Sequence, residues 1–250
     1  MLKEERHRSI VNLLQEKGII KVKDITNLMN VTEMTVRRDL QELENKGVLQ
    51  RIHGGAQLSN SLILTELSHY EKQNINIDSK KDIARKIANF INNGDLIFLG
   101  IGTTIELVYE FINVDYLKIV TNSLHIFNKF INNPKYELIL VGGSYRNRTG
   151  AFVGAIANDV LSKLKINKAF IGVNGIYDNN ISNSNEDEGT IQSIVLNNSS
   201  EKYIIADSSK LNKYDFYQFY NLKDVTALIT DNKINDENLS RYSKYTKIIF

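Results

Sequence analysis

The segment from Thr32 to Gly47 has the pattern of an amphipathic helix, and it restricts the fold more than any other part of the chain. Val36, Leu40 and Leu43 recur at intervals of four and three residues, so they share one helical face. Thr32 suits a helix N-cap, and Gly47 stands where helices commonly end. The remaining surface carries one apolar side chain, Met34, and the polar or charged side chains Thr35, Arg37, Arg38, Gln41 and Asn45. A solvated surface helix would look similar, so the neighbouring segments must decide its role.

The preceding residues predict two more helices. Residues 22–30 form a short periodic segment in which Ile25, Leu28 and Met29 are predicted to face inward. Only Val31 and Thr32 separate it from the next helix, which is typical of a helix-turn-helix. Residues 3–17 predict a first helix, closed by a glycine, with helical spacing of Arg6, Ile10, Leu13, Leu14 and Lys17.

Residues 48–55 alternate in polarity and end in two glycines, which predicts the β-wing of a winged helix. In such a unit the N-terminal residues of the third helix meet base edges in the major groove of DNA. Arg51 and His53 on the wing are placed to contact phosphate or the minor groove. We therefore interpret residues 1–56 as a DNA-binding domain. Its candidate contact residues are Thr32, Met34, Thr35, Arg37, Arg38, Gln41, Arg51 and His53.

This unit resembles the DeoR family of bacterial transcription regulators. The resemblance is carried by Thr35-Val36-Arg37-Arg38-Asp39-Leu40, by residues 43–49 and by Arg51-Ile52-His53-Gly54-Gly55-Ala56. It implies a sequence-specific operator binder, usually a repressor of sugar-catabolic genes. One small head reads few base pairs, so we expect a homodimer or homotetramer on repeated half-sites of double-stranded DNA. No aromatic side chains interrupt the basic residues, which argues against RNA.

Composition excludes several other classes of protein. The 250 residues include 31 Lys and Arg against 29 Asp and Glu, so the net charge of +2 does not by itself indicate nucleic acid binding. There is no cysteine, which excludes disulfides and thiol chemistry, and the four histidines lack metal-ligand spacing. We expect no metal and no cofactor. Without an apolar run of about 18 residues or a secretory signal, we expect a cytoplasmic protein with no membrane span.

The pattern changes after residue 56. Residues 57–76 lack clean periodicity and are predicted to be a linker, with a short helical or strand segment around residues 62–67. From residue 77 to residue 250, apolar runs of strand type alternate with helical segments. This alternation predicts a Rossmann-like α/β domain, with a mostly parallel sheet and helices on both faces. Because such sheets bind ligands beyond the carboxyl ends of their strands, the loops after the strands are the candidate effector site.

The loop after the first predicted strand contains Gly100, Gly102, Thr103 and Thr104. Glycines let the backbone approach an anion, and the start of a following helix offers free N–H groups. The loop lacks the Gly-Lys-Ser/Thr of a P-loop, and Ile105 replaces the third glycine of a dinucleotide fingerprint. A single phosphate monoester is the better candidate ligand, and an ordinary glycine turn is the alternative.

Other predicted strand ends add polar residues to the same edge. Arg146 and Lys210 are candidates to hold a phosphate, and Asn122, Asn174 and Glu188 are candidates to pair with sugar hydroxyls. Each of these residues alone is compatible with a solvated surface position. Their convergence on one edge of one sheet favours a shared pocket for a phosphosugar.

This half resembles the effector domain of the DeoR family, which is similar in fold to ribose-5-phosphate isomerase. Residues 100–104 match the family's phosphate loop, Asp207-Ser208-Ser209-Lys210 its Asp-x-x-Lys element, and Glu188 an acid of the family pattern. Thr103-Thr104-Ile105-Glu106-Leu107 and residues 151–154 look most like the branch of lactose phosphotransferase system repressors. That resemblance implies tagatose 6-phosphate as the inducer.

Asn174 departs from the family pattern, because many members carry Asp in the corresponding Gly-x-Asp-Gly. An asparagine cannot act as a base, and its amide offers a sugar different hydrogen bonds. We therefore expect no enzymatic activity, although an isomerase-like enzyme with a DNA-binding head is the rival interpretation. The leading hypothesis is a repressor that a phosphosugar releases from its operator. An activator built from the same parts stays open.

Overall fold

The computed structural model describes residues 3–45, 49–58 and 66–250. It divides into two compact units, Met1–Glu66 and Leu67–Phe250. Several predicted features lie outside the described residues, namely Gly47 at the end of the third helix, Val48 at the start of the wing, the side chain of Lys17 and most of the segment around residues 62–67.

Within its described residues, 3–45, 49–58 and 66, the first unit contains three helices and a three-stranded antiparallel sheet. Its elements are α1 (Lys3–Lys17), β1 (Ile19–Lys21), α2 (Val22–Met29), α3 (Glu33–Asn45), β2 (Leu49–Ile52) and β3 (Gly55–Leu58), with sheet order β1-β3-β2. The three helices and the wing hairpin were predicted. Strand β1 was not, because three residues are too few to show an alternation. The wing continues through Gln57 and Leu58, which the sequence had suggested as the start of the linker.

The helices and the sheet of this unit enclose one apolar core, formed by Ile10, Leu14, Ile20, Val22, Ile25, Met29, Val36, Leu40, Leu43, Leu49 and Ala56. Leu28 was predicted to face the core, and this prediction is wrong, since the residue is 66% exposed. The buried face of α2 is set by Val22, Ile25 and Met29. At about 100° per residue, Leu28 points roughly 90° away from the centre of that face.

Asp39 is a buried charge in this unit, and it joins α3 to α1. Its carboxylate accepts hydrogen bonds from Arg6 Nε at 2.7 Å and Arg6 Nη2 at 3.1 Å, and His7 Nε2 lies 3.2 Å from Oδ1. Burial by itself raises the pKa of Asp39, but the hydrogen bond and charge of Arg6, together with those of His7, outweigh burial and lower it. The ionised carboxylate therefore stabilises the contact between the two helices.

We expect Asp39→Asn to lower the free energy of unfolding of this unit by roughly 3 kcal/mol at pH 7, because the buried negative charge that faces Arg6 is removed. Since the pKa of Asp39 is lowered by folding, its contribution is present above about pH 4 and is lost as pH falls through the folded-state value. Hydrogen exchange of the α3 amides in the full-length protein measures both effects.

Glu42→Gln on the same helix is the matched control. Glu42 pairs with Lys3 at 2.5 Å, and the two side chains are 28% and 54% exposed. Exposed pairs of this kind contribute at most about 1 kcal/mol. Equal exchange rates in Asp39→Asn and the unchanged protein would contradict the stabilising role of Asp39.

The second unit has six helices and twelve strands within the described residues. The helices are α4 (His69–Gln73), α5 (Ile77–Ala88), α6 (Leu124–Phe130), α7 (Ala155–Ser162), α8 (Glu186–Asn197) and α9 (Asp236–Tyr242). The strands are β4 (Leu96–Leu99), β5 (Leu117–Thr121), β6 (Tyr136–Leu140), β7 (Ser144–Arg146), β8 (Ala151–Val153), β9 (Ile166–Gly172), β10 (Gly175–Tyr177), β11 (Asn180–Asn183), β12 (Ser199–Ile205), β13 (Tyr217–Asn221), β14 (Ala227–Ile229) and β15 (Lys247–Ile249).

Seven of these strands form the parallel sheet, in the order β15-β14-β12-β9-β4-β5-β6. Its two faces carry separate apolar cores. In β4, Phe98 belongs to one core, whereas Ile97 and Leu99 belong to the other, as the alternation of a strand requires. The predicted α/β fold with a mostly parallel sheet is confirmed.

Two segments differ from their predicted conformation. The helix predicted after residues 100–104 is a short 3-10 helix, Ile105–Glu110. The predicted linker of residues 57–76 contains α4, which a capping box starts at Ser68. A helix of five residues is too short to show helical periodicity, which is why the sequence pattern did not reveal it. Within the described residues, no helix is long and apolar enough to span a membrane.

Candidate functional site

The first unit presents the basic side chains of α3 to solvent. The Arg38 side chain is 83% exposed and that of Arg37 is 53% exposed. Arg37 lies 3.6 Å from Glu33 and Arg38 lies 3.7 Å from Glu42, one helical turn away in each case. Exposed pairs of this kind are weak, so both guanidiniums can exchange a carboxylate for a phosphate or a base edge.

The start of α3 is capped as predicted. The Thr35 N–H donates to Thr32 Oγ1 at 3.3 Å, and the two hydroxyl oxygens are 2.9 Å apart. Met34, in the first turn, is 79% exposed. The first turn of the helix therefore offers two hydroxyls and one apolar side chain beside the arginines.

Gln41 and Arg51, both predicted to contact DNA, are hydrogen-bonded to each other. Arg51 Nη1 donates to Gln41 Oε1, and the Arg51 backbone N–H donates to Glu44 Oε1 at 2.8 Å. Gln41 Nε2 also donates to Asn45 Oδ1 at 3.0 Å. These contacts tie the wing to α3, so the two elements form one surface. The direct contacts of both residues with DNA stay predictions.

His53 and Gly54 form the tip of the wing, and His53 is exposed. Gly54 has a φ of +77°, which favours glycine. Its carbonyl accepts a hydrogen bond from the Val22 N–H at 2.9 Å. A Cβ on Gly55 would overlap the Ile20 carbonyl oxygen. The two glycines are thus required by the turn and by the close approach of β1, and they leave His53 at the tip.

In the second unit, most of the predicted effector residues lie at the carboxyl ends of β12, β9, β4 and β5, four neighbouring strands at the centre of the sheet. The loop after β4 is held against β9, because the Gly100 N–H donates to the Phe170 carbonyl at 3.0 Å. Gly102 has a φ of +143°, and its carbonyl accepts from the Glu106 N–H at 3.1 Å. Thr103 and Thr104 are partly exposed at the turn.

Three of the predicted effector contacts have partners within the protein. Asn122 is buried, and its Nδ2 donates to the Phe152 carbonyl at 3.0 Å. Arg146 and Glu188 lie on β7 and α8 and contact each other, with Nη1 3.1 Å from Oε1. The Thr149 hydroxyl donates to the same carboxylate oxygen. Asn122, Arg146 and Glu188 therefore shape the loops, and their contact with an effector stays a prediction.

Asn174 follows β9, and both the nitrogen and the oxygen of its side-chain amide are hydrogen-bonded. Its Nδ2 donates to Ser184 Oγ at 3.0 Å, and its Oδ1 accepts from Lys72 Nζ at 3.2 Å. Its backbone N–H donates to Asn183 Oδ1 at 2.9 Å. An aspartate could also hold both partners, since a hydroxyl and an ammonium can each donate to a carboxylate, so these contacts do not by themselves require an asparagine.

Lys80 is a buried lysine that was not among the predicted effector residues. It lies on α5, is 5% exposed, and donates from Nζ to the Lys72 carbonyl. Burial, with smaller contributions from Lys210 and Lys72, lowers the pKa of Lys80 to about 8, against the opposing effect of Asp207 and Glu106. Its contact with Lys72, which in turn donates to Asn174 after β9, places Lys80 at the carboxyl edge of the sheet. The sequence does contain a signal for this burial, because Lys80 lies on the same helical face as the apolar residues Ile83, Ala84 and Ile87.

The loop after β12 carries one buried carboxylate, that of Asp207, and two lysines, Lys210 and Lys213. Asp207 is buried and accepts from the Ser209 N–H at 3.0 Å and from Asn76 Nδ2 at 3.2 Å. Lys210 is half-buried in the same loop. Burial and the charge of Lys210 lower the pKa of Lys213, against the effect of Asp207. Crowded, desolvated ammonium groups favour the binding of an anion such as a phosphate monoester.

A second buried group at this edge contains two histidines. His69 Nε2 is hydrogen-bonded to Glu106 Oε1, and the His69 ring stacks on His125 with centroids 3.6 Å apart. Burial, followed by the charge of His69, lowers the pKa of His125. Among the described residues, no group of three His, Cys, Asp or Glu side chains could hold a metal ion.

The two units together define a class of protein. One has a winged helix with an exposed basic helix, and the other has an α/β fold with lysines at the carboxyl edge of its sheet. This combination is that of a DNA-binding regulator with a sensor for an anionic small molecule.

Comparison with known proteins specifies the family. A model of the DeoR-like helix-turn-helix domain matches residues 6–62, and one of the DeoR C terminal sensor domain matches residues 75–232. The lactose phosphotransferase system repressor of Streptococcus mutans is 43% identical over 251 aligned positions, covering 100% of both chains. The repressor of the same name from Lactococcus lactis is 41% identical, covering 100% of this chain and 99% of that one. The chain belongs to the DeoR family, and the predicted resemblance is confirmed.

Solved structures add a more distant likeness. A ribose 5-phosphate isomerase A from Methanocaldococcus jannaschii matches with a TM-score of 0.39 and 18% identity, covering 54% of this chain and 55% of that one. A likeness at this level carries no argument about activity. The full-length relatives are named as repressors, in agreement with the prediction that this protein is not an enzyme.

Proposed function

We propose that this protein represses a lactose- or galactose-catabolic operon and is released from its operator by a phosphosugar, with tagatose 6-phosphate as the first candidate. The ligand class rests chiefly on one observation, the burial of Lys80, whose ammonium contacts the carbonyl of Lys72, the residue that is hydrogen-bonded to Asn174 after β9. We infer that Lys80, Lys210 in the loop after β12 and the glycine-threonine loop of residues 100–104 act on one phosphate. The full-length relatives named as lactose phosphotransferase system repressors support the choice of operon.

The first unit would bind the operator through α3 and the wing. Arg37 and Arg38 supply contacts to phosphate and to base edges, and Thr32, Met34 and Thr35 meet the groove at the start of the helix. Arg51 and His53 follow the backbone from the wing, with Gln41 supporting Arg51. Recognition of repeated half-sites requires at least a dimer, which we place in the cytoplasm together with the operator.

The second unit would hold the phosphosugar at the carboxyl edge of its sheet. Gly100, Gly102, Thr103 and Thr104 cradle the phosphate, and the two lysines neutralise it. Asn174 pairs with a sugar hydroxyl, in a pocket whose walls are shaped by Asn122, Arg146 and Glu188. By linkage, a phosphosugar that weakens DNA binding must itself bind less tightly to the DNA complex, by the same factor.

Fluorescence anisotropy on the DNA upstream of the protein's own operon tests this proposal. The panel is tagatose 6-phosphate, galactose 6-phosphate, fructose 6-phosphate and fructose 1-phosphate, with unphosphorylated tagatose as the control. We expect one phosphosugar to release the DNA and the control sugar to have no effect. Tight DNA binding that no phosphosugar disturbs would contradict the proposed effector, and tighter binding on addition of one would indicate the opposite regulation.

Lys210→Ala is expected to weaken phosphosugar binding by about 10- to 100-fold, since a hydrogen bond to a charged group contributes about 1.5–3 kcal/mol. DNA affinity in the absence of sugar should stay within twofold, because Lys210 lies in the sensor unit. Isothermal titration calorimetry measures the first effect and anisotropy the second. Lys129→Ala, an exposed lysine on α6, is the control. An unchanged sugar affinity in Lys210→Ala would show that the pocket is assigned wrongly.

A further inference from the structure

Residues 68–76 form a short segment, called the strap below, at the start of the second unit. It consists of α4 and the turn that leads to α5. Its helix is stabilised locally, because the Glu71 N–H donates to Ser68 Oγ at 3.3 Å and the Ser68 N–H donates to Glu71 Oε2 at 2.7 Å. In sequence the strap directly follows the residues that connect the two units.

The strap contacts the loops of four neighbouring strands. His69 contacts Glu106, after β4, and stacks on His125, after β5. Lys72 donates to Asn174, after β9, at 3.2 Å. These strands and β12 lie side by side in the order β12-β9-β4-β5.

The contact with the loop after β12 comes from the other end of the strap. Asn76 Nδ2 donates to Asp207 Oδ1 and to Ser209 Oγ, each at 3.2 Å. The strap therefore crosses the central part of the carboxyl edge, where the proposed phosphosugar site lies.

Two contacts of Lys72, one through its side chain and one through its carbonyl, use groups that the proposed ligand would also need. Lys72 Nζ donates a hydrogen bond to the amide oxygen of Asn174, which is the proposed partner of a sugar hydroxyl. Lys80 Nζ donates to the Lys72 carbonyl, although Lys80 is a proposed phosphate ligand. The strap and a phosphosugar thus compete for the same two side chains.

We propose that the strap is the ligand-responsive element of the sensor. A phosphate at residues 100–104 draws Lys80 Nζ away from the Lys72 carbonyl, and a sugar hydroxyl replaces Lys72 Nζ at Asn174. A hydrogen bond between an ammonium and a phosphate is stronger than one between an ammonium and a neutral carbonyl, so ligand binding drives the exchange. The released strap shifts the point at which the connecting residues leave the second unit. This inference rests on the proposed function, since it takes a phosphosugar as the ligand.

A single fluorescent label tests the movement. The sequence contains no cysteine, so Gln73→Cys, at an exposed position of α4, carries the only reactive thiol of the full-length protein. We expect tagatose 6-phosphate to change the emission of an environment-sensitive dye there, with a midpoint within threefold of that for DNA release. Unphosphorylated tagatose should cause no change. The same dye on Glu237→Cys, an exposed position of α9, is the control and should not respond.

Lys72→Met tests the coupling separately from binding. We expect its affinity for tagatose 6-phosphate, measured by calorimetry, to be retained or to rise, because Lys72 no longer competes with the sugar for Asn174. The ligand-dependent loss of DNA affinity should shrink about tenfold, and the α4 amides should exchange hydrogen faster in the absence of ligand. Lys81→Met, which removes the same charge from α5, should leave both properties unchanged.

The outcomes separate the two proposals. If a phosphosugar binds and releases DNA while the label at residue 73 stays silent, or while Lys72→Met responds normally, the strap inference is overturned and the proposed function stands. If no phosphosugar binds the unchanged protein, both are overturned.

Discussion

Arg38→Ala is expected to abolish specific operator binding, with a loss of affinity of at least about 30-fold. A bidentate contact between arginine and guanine contributes about 1–3 kcal/mol of discrimination, and a dimer makes that contact in both heads. The combined loss of about 2–6 kcal/mol corresponds to roughly 30-fold to 10⁴-fold in affinity. Anisotropy with operator and scrambled DNA at two salt concentrations measures the loss and separates it from non-specific binding.

The structure indicates that this variant will fold. Arg38 is 83% exposed and lies 3.7 Å from Glu42, a surface contact of little energetic weight. The melting temperature of Arg38→Ala should therefore match that of the unchanged protein. Arg38→Lys keeps the charge without the planar fork, so it should retain binding to scrambled DNA and lose most of the preference for the operator. Operator affinity within twofold of normal in Arg38→Ala would show that α3 is not the recognition helix.

Lys80→Met is expected to have two opposite effects, weaker phosphosugar binding by about 10- to 100-fold and a more stable sensor unit. The loss of affinity follows from removing a desolvated ammonium at the proposed phosphate position, where a charged hydrogen bond is worth about 1.5–3 kcal/mol. The gain in stability follows from burial, because an ammonium that is 5% exposed is costly to fold. Such an exchange of stability for function is common at binding sites.

The sign and size of the stability change follow from the pKa of Lys80. Folding lowers that pKa from 10.5 to about 8, so the unfolded chain binds more protons between those values and stability rises with pH across the window. At pH 7 the burial of the charge costs up to about 3 kcal/mol, at 1.36 kcal/mol for each pKa unit. Loss of the hydrogen bond to Lys72 offsets about 1 kcal/mol of the gain. We expect a net stabilisation of about 1–2 kcal/mol.

Calorimetry and chemical denaturation between pH 7 and pH 9.5 measure both effects. The affinity of the unchanged protein for tagatose 6-phosphate should fall above pH 8, as Lys80 loses its proton, and the affinity of Lys80→Met should not change over that range. Lys81→Met on the same helix should behave as the unchanged protein does. A destabilised Lys80→Met with normal sugar affinity would mean that Lys80 only supports α4.

The sequence predicted those features that depend on short stretches of chain. The spacing of Val36, Leu40 and Leu43 indicated α3, and the His-Gly-Gly stretch of residues 53–55 indicated the wing turn. The alternation of strand and helix patterns predicted the parallel sheet, and with it the edge at which polar loops converge. Errors arose where a pattern was short or ambiguous, as with Leu28 on α2 and with the five residues of α4 inside the predicted linker.

The periodic elements and the turns can therefore be predicted from the chain alone, because each is encoded in a short stretch of neighbouring residues, and the succession of these elements indicates the class of fold. Which charges meet is set by the packing of elements that lie far apart in the chain. The burial of Lys80 and the hydrogen bond between Lys72 and Asn174, 102 residues apart, are examples. The sequence does not show whether a lysine is solvated or packed against the edge of a sheet, so its role can be assigned only when the residues around it are known.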